Sequence, residues 1–177
     1  MIKSLVRITI IMMALSMVFT TVLLAQHPKL TDPEVASVAV TANQVDINYA
    51  TIAKSKSKNA DILKFAETMS TDHKAIIDQA VALVTKLKVT PKDNSVSKKL
   101  MADAEKTKKV LLSKSGKAFD KAYIDNEVAY HKAVISTVET LLIPSAKNPE
   151  LKALLEKIIP TLKTHLAHAE MVQMHFK

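Results

Sequence analysis

The chain has 177 residues and a formal net charge of +8, with no cysteine and one glycine. The lack of cysteine excludes disulfides, thiolate metal sites and a cysteine nucleophile. Arg7 is the only arginine, and the lysines are spread along the chain rather than clustered. Because lysine lacks the bidentate fork of arginine, specific recognition of nucleic acid is not expected.

The N-terminus has the layout of a secretory signal peptide. Lys3 and Arg7 precede an apolar run, residues 8–25, that contains no charged residue, and Ala25 is a small residue at its exit. We predict a signal peptide over residues 1–25, a linker over 26–31 and an exported, periplasmic protein. The run is also long enough to stay as an uncleaved anchor, which would keep the protein on the cell envelope.

Residues 32–177 are predicted to form one all-α domain, because Ala, Leu, Lys and Glu dominate and glycine and strand-like alternation are scarce. Asp32, Asn59 and Ser95 are predicted helix caps, and Pro160 is expected to kink the last helix. The predicted helices cover about 32–57, 60–88, 95–113, 117–142 and 149 to near the C-terminus.

The third of these helices is shorter than the others and lies between the second and third long ones. About 19 residues at 1.5 Å each span roughly 28 Å, which is enough to carry the chain back along a bundle. We therefore predict an up-down-down-up four-helix bundle, with this shorter helix in the crossover.

Each long helix carries an apolar stripe in steps of three and four residues, and one ionisable residue interrupts each stripe. Counting 1.5 Å per residue from the helix ends puts these four residues near one level, and Glu127, one turn before His131, can join them. Tyr49, Tyr123 and Tyr130 are close enough to be hydrogen-bond partners. The four interrupting residues are Asp46, His73, His131 and His165.

Such a layer has two explanations, and the sequence leaves both open. Imidazole and carboxylate ligands suit Zn, Cu or Fe, so Asp46, His73, Glu127, His131 and His165 are predicted ligands of one transition-metal ion. Alternatively, the histidines hydrogen-bond to carboxylates, tyrosines and water, and the layer only fixes the register of the helices.

A second candidate site lies near the C-terminus. His168, Met171 and His175 follow one another at spacings of three and four on one helical face, with Met174 beside them. Imidazole and thioether together suit Cu(I). The alternative is a half-exposed helix end with no ligand role.

Three segments of the chain resemble a known family: "SKNADILKFAETMSTDH", "GKAFDKAYIDNEVAYH" and "IIPTLKTHLAH". They are similar to an exported bacterial ferritin-like family that is catalogued as a domain of unknown function and labelled periplasmic or outer-membrane. The resemblance spans about residues 32–172 and implies a ferritin-like four-helix bundle. It matches the family's recurring histidines to His73, His131 and His165, and its helix-1 acid to Asp46, but it implies no activity.

The wider ferritin-like group often holds a di-iron centre, with a Glu-x-x-His motif on two helices. This chain contains no Glu-x-x-His motif, and Glu127 and His131 are four residues apart. A di-iron centre is therefore not expected.

Two classes of function fit these observations. The first is a non-catalytic periplasmic protein that binds a transition metal and serves metal or stress homeostasis. The second is a structural or interaction module of the envelope, with a protein partner and a purely structural polar layer. An enzyme is expected less, because no nucleophile–base pair, phosphate-binding loop or small-molecule substrate is evident.

Overall fold

The computed structural model describes residues 29–176, and this part of the chain is helical without a β-strand. The predicted signal peptide and the first three residues of the linker, 26–28, lie outside the described residues. Within the described range, no helix combines the length and the apolarity needed to cross a membrane. The helices are α1 (Asp32–Lys56), α2 (Ala60–Lys86), α3 (Ser95–Leu112), α4 (Gly116–Thr137), α5 (Ile143–Ser145) and α6 (Pro149–Gln173).

The start of α1 differs from the prediction, because Thr31 is its N-cap rather than Asp32. The Glu34 carboxylate accepts hydrogen bonds from the Thr31 backbone N–H and hydroxyl, at 2.9 and 2.8 Å. The carboxylate of Asp32 instead accepts from the backbone N–H groups of Lys147 and Asn148, at 2.7 and 3.1 Å. This residue therefore joins the start of α1 to the loop before α6.

The caps of the next two helices follow ordinary side-chain chemistry. Asn59 caps α2 as predicted, since its side-chain oxygen accepts from the N–H groups of Asp61 and Ile62. The cap of α3 is Asn94 rather than the predicted Ser95, and its side-chain oxygen accepts from Val96 and Ser97.

The fourth predicted helix changes its hydrogen bonding before Pro144. The α-helical pattern ends at Thr137, a π-helical turn covers Val138–Leu142, and α5 follows. Proline lacks an N–H and its ring clashes with the carbonyl four residues earlier, so a wider turn before it relieves the strain. In the last predicted helix, α6 continues through Pro160 to Gln173.

The contacts at the helix ends fix the directions of the long helices. α1 packs on α2, α4 packs on α6, and α3 lies mainly against α1. The Ser57 hydroxyl, after the end of α1, donates to Asp120 in the first turns of α4 at 2.6 Å. Lys86 at the end of α2 pairs with Glu150 at the start of α6. Consequently α2 and α4 point in the same direction, antiparallel to α1 and α6.

Two apolar clusters form the core, one toward each end of the long helices. The first contains Phe65, Met69 and Tyr123, and the second contains Leu142, Leu155 and Leu162. In α2, α4 and α6 a histidine lies in the sequence between the residues of the first cluster and those of the second. A polar layer therefore separates the clusters.

Candidate metal centre

The polar layer contains the five residues predicted for it, on four different helices. Asp46 comes from α1, His73 from α2, Glu127 and His131 from α4, and His165 from α6. None of them is more than 3% exposed. The structure thus brings together side chains that are up to 119 residues apart in the sequence, from 46 to 165.

The three imidazoles face one another closely. Their ring centroids lie 5.7 Å apart for His73 and His131, 5.1 Å for His73 and His165, and 5.6 Å for His131 and His165. One possible ligand atom from each histidine lies within 4.8 Å of the other two. Asp46, Glu127 and His131 form a second group that meets the same limit, so His131 belongs to both groups.

One nitrogen of each ring is held by an outer hydrogen-bond partner. His73 Nδ1 lies 2.7 Å from Asn43 Oδ1, His131 Nδ1 lies 3.0 Å from the Glu127 backbone oxygen, and His165 Nε2 lies 2.9 Å from a carboxylate oxygen of Asp72. All three partners are acceptors, so the nitrogen facing each of them carries the proton. The other nitrogen of each ring therefore keeps its lone pair.

Within the described residues 29–176, these remaining nitrogens are buried and have no hydrogen-bond partner. They are His73 Nε2, His131 Nε2 and His165 Nδ1, and both side-chain oxygens of Asp46 and of Glu127 are also unpaired. Buried polar atoms without partners are costly and uncommon in folded proteins, so a cluster of seven calls for an explanation. A bound cation would supply one.

Burial sets the protonation of the layer in the absence of a cation. Burial raises the pKa of the Asp46 carboxyl to about 8. Burial, together with the nearby Asp46, raises the pKa of Glu127 well above its ordinary value. Burial lowers the pKa of His73 to about 2 and that of His131 to about 4. In the metal-free layer these shifts favour protonated carboxyls on Asp46 and Glu127 and uncharged imidazoles on His73 and His131. The Asp46 proton can be donated to His73 Nε2, 3.3 Å away.

The donor set fits a transition metal. Zn–N bonds of about 2.0–2.1 Å in a tetrahedral site separate the donor atoms by about 3.4 Å. Asp46 Oδ2 lies 3.3 Å from His73 Nε2 and 3.5 Å from His131 Nε2. Histidine ligands in proteins commonly donate their other N–H to a carboxylate or a carbonyl, as all three do here. These residues could thus hold a metal ion, and the outer hydrogen-bond partners of its histidines are already in place.

Sequence reasoning did not single out two of the outer partners, Asn43 and Asp72. Asn43 precedes Asp46 by three residues on α1, and Asp72 is next to His73, so helical spacing could have pointed to the first. Two of the three predicted tyrosine partners make no hydrogen bond to the layer. Tyr130 donates its hydroxyl to the backbone oxygen of Ala42 at 2.8 Å, and the Tyr123 hydroxyl is buried without a partner among residues 29–176.

The C-terminal candidate ligands are His168, Met171 and His175, and the two histidines contact residues outside the polar layer. The His168 ring packs edge-on against Phe65, with centroids 5.1 Å apart. His175 is exposed, with its Nδ1 lying 3.2 Å from an Asp61 carboxylate oxygen, and Met171 is half exposed. A copper site on this face stays a prediction.

A family model described as "Domain of unknown function (DUF4142)" matches residues 21–172 of the chain. The match confirms the resemblance to a family of unknown function, whereas export and a ferritin-like arrangement stay predictions. Comparison with curated proteins gives no match, and neither does comparison with solved structures.

Proposed function

This chain belongs to the DUF4142 family, and on that premise we propose that it binds one transition-metal ion, Zn, Cu or Fe, in the polar layer. The ligands come from His73, His131 and His165, with carboxylate oxygen from Asp46 and Glu127. The observation that carries the proposal is the set of seven buried, unpaired nitrogen and oxygen atoms at one level.

Two further observations support this function over a purely structural layer. A structural layer would pair its polar atoms with each other, whereas here each histidine turns its N–H outward and its lone pair inward. Burial raises the pKa values of both carboxyls, and a divalent cation would supply the positive charge that favours their ionised forms.

We place the metal in a ferritin-like bundle of an exported protein. The parallel directions of α2 and α4 and the position of α3 between them in the chain support the bundle type. The charge pattern of residues 1–25 supports export. In this setting the protein stores or buffers a metal for homeostasis or stress, and catalysis is not part of the proposal.

A second candidate function is a structural or interaction module of the envelope. Its support is that Asp46, once protonated, can satisfy one histidine nitrogen without any metal. In that case the layer specifies which helices meet and in what register.

The deciding experiment is elemental analysis of the mature protein, purified without a tag and without chelator, beside the variant His131→Ala. We expect close to one metal ion per chain in the wild type. We expect the variant to lose the metal, because His131 belongs to both groups of candidate ligands. A competition titration of the metal-free proteins with Zn, Cu and Fe then gives the affinities.

His175→Ala is the matched control, since His175 is an exposed histidine whose removal leaves the layer intact. Metal lost from the control but kept in His131→Ala would move the site to the C-terminal face. A wild type that is purified empty and takes up none of the three metals would contradict the proposal and favour the structural module.

A further inference from the structure

A cavity of about 330 Å³ lies between α1, α3 and α4, and its wall includes Asp46, His73 and His131 of the layer. The space exists because five lining positions on these helices are alanines, namely Ala39, Ala42, Ala104, Ala129 and Ala133. Ala129 and Ala133 are exposed, whereas the layer residues are buried. The cavity therefore runs from the surface at α4 to the layer.

The size of the cavity sets the size of an occupant. An engineered apolar cavity of roughly 150 Å³ in another protein stays dry and binds benzene. The present cavity has about twice that volume, so it can hold an apolar body of about two fused rings. Aliphatic side chains such as Val38, Leu100 and Leu162 also line it.

The charges on the wall determine the charge of the occupant. Among the residues that the structure describes, neither lysine nor arginine lines the cavity, and the acidic residues that do are Asp46 and Asp103. Asp103 lies within 2.8 Å of Lys106 and is also paired with Lys99, so its charge is balanced outside the cavity. A carboxylate, sulfate or phosphate ligand would find no cation there, and burying an unpaired anion is costly.

The inner end of the cavity offers both donors and acceptors. The unpaired buried atoms of Asp46, His73 and His131 can each exchange a hydrogen bond with a ligand that both donates and accepts. A hydroxyl group does both. A hydrocarbon of the same shape would leave these atoms unsatisfied, and such a mismatch weakens binding strongly.

From this geometry we infer that the cavity binds a small uncharged molecule with an apolar body of about two rings and one hydroxyl group, the hydroxyl lying against Asp46, His73 and His131. The inference goes beyond the proposed metal and does not depend on it, because it concerns the metal-free protein. An ion held by Asp46, His73 and His131 would occupy the atoms that face the hydroxyl, so zinc is expected to weaken the binding.

The test uses 1-naphthol as the probe, with binding followed by its fluorescence at neutral pH, on metal-free protein and again after addition of zinc. We expect 1-naphthol to bind at least about tenfold more tightly than naphthalene, because bound naphthalene would leave the buried polar groups unpaired. We expect 1-naphthoate, its anionic counterpart, to bind at least about tenfold more weakly than 1-naphthol.

Two variants locate the binding. Ala104→Phe fills the cavity from α3 and is expected to weaken 1-naphthol binding at least about tenfold, whereas Ala102→Phe, on the exposed side of the same helix, leaves it unchanged. Ala129→Leu narrows the mouth at an exposed position and serves as the second test, because its folding does not depend on core packing. Unfolding curves of each variant establish that it is folded.

Three results would overturn the inference: no binding of 1-naphthol, equal binding of 1-naphthoate, or 1-naphthol binding that neither Ala104→Phe nor Ala129→Leu weakens. Zinc uptake by the same samples is measured separately. A protein that binds 1-naphthol but no metal would refute the proposed function and support this inference. A protein that binds metal but no 1-naphthol would support the proposed function and refute this inference.

Discussion

At the scale of single residues, the orientation of the imidazoles decides what the layer can do. His73 could equally well have turned its N–H inward, and the layer would then hold a donor instead of a metal-binding lone pair. Asn43 prevents this, because its Nδ2 donates to the Ala39 carbonyl at 2.8 Å and leaves its Oδ1 to accept from His73. A backbone contact of α1 thereby selects the tautomer of a histidine on α2.

The first prediction concerns this contact. Asn43→Ala keeps every candidate ligand but removes the acceptor that orients His73. We expect the affinity for zinc to fall about 10- to 100-fold, the usual cost of losing an outer hydrogen-bond partner. A competition titration with a chelating dye measures it.

Asn48→Ala is the matched control, an exposed asparagine on the same helix. An unchanged zinc affinity in Asn43→Ala would mean that His73 is not a ligand or is oriented by another group.

At the scale of the elements, side chains beyond the helix ends hold the bundle together. Ser57 follows α1. Its hydroxyl donates a hydrogen bond to Asp120 of α4 and accepts one from the backbone N–H of Asn59. Asp120 is buried, so this hydroxyl supplies the hydrogen bond that its carboxylate needs. One small residue thus joins the end of α1, the cap of α2 and the first turns of α4.

The second prediction follows from that contact. Ser57→Ala leaves the buried Asp120 carboxylate without this donor, and we expect the free energy of unfolding to fall by about 1–3 kcal/mol. Denaturant unfolding measures the change. Ser55→Ala is the control, because the Ser55 hydroxyl only donates to the Ile52 carbonyl on an exposed face, and a loss of equal size in both variants would argue against the Asp120 contact as the cause.

The elements differ in how far the sequence could predict them. Asn59, Pro149 and the apolar stripes locate α2 and α6 closely, because caps and periodicity are local signals. The caps at Thr31 and Asn94 were each missed by one residue, since Asp32 and Ser95 are also good caps and the choice depends on distant partners. The π-helical turn before Pro144 was not predicted, because proline signals only that ordinary α-helical bonding cannot continue.

At the scale of the whole molecule, the core is two apolar clusters with a polar layer between them. The rise of 1.5 Å per residue, counted from the helix ends, is enough to predict that Asp46, His73, His131 and His165 lie at one level. The cavity could not be predicted, because it depends on how far α3 stands from α4 and not on any motif in α3. The layer leaves its unpaired atoms in the middle of the molecule, so the metal-free protein is less stable than an apolar core of the same volume would be.

The third prediction concerns this balance. For the wild type, we expect the free energy of unfolding to rise by about 2.7 kcal/mol when free zinc is at 100 times its dissociation constant. A variant in which the five layer residues are all replaced by leucine is expected to be at least as stable as the metal-free wild type and insensitive to zinc.

Denaturant unfolding curves with zinc and with chelator measure both quantities, and His175→Leu controls for the loss of an exposed histidine. If zinc does not shift the unfolding curve of the wild type, the result would support a purely structural role for the layer.

The small number of buried side chains in α3 affects the rate at which a ligand leaves the cavity rather than the stability of the fold. Of its side chains only Ser97 and Leu111 are buried, and it packs mainly on α1. Segments with few buried apolar contacts open by local fluctuations far more often than the whole protein unfolds. Amide hydrogens of α3 should therefore exchange with solvent much faster than those of α2 and α6, and each such opening uncovers the wall of the cavity. The residence time of whatever occupies the interior would then follow the opening of one helix, and it could change without any change in the stability of the fold.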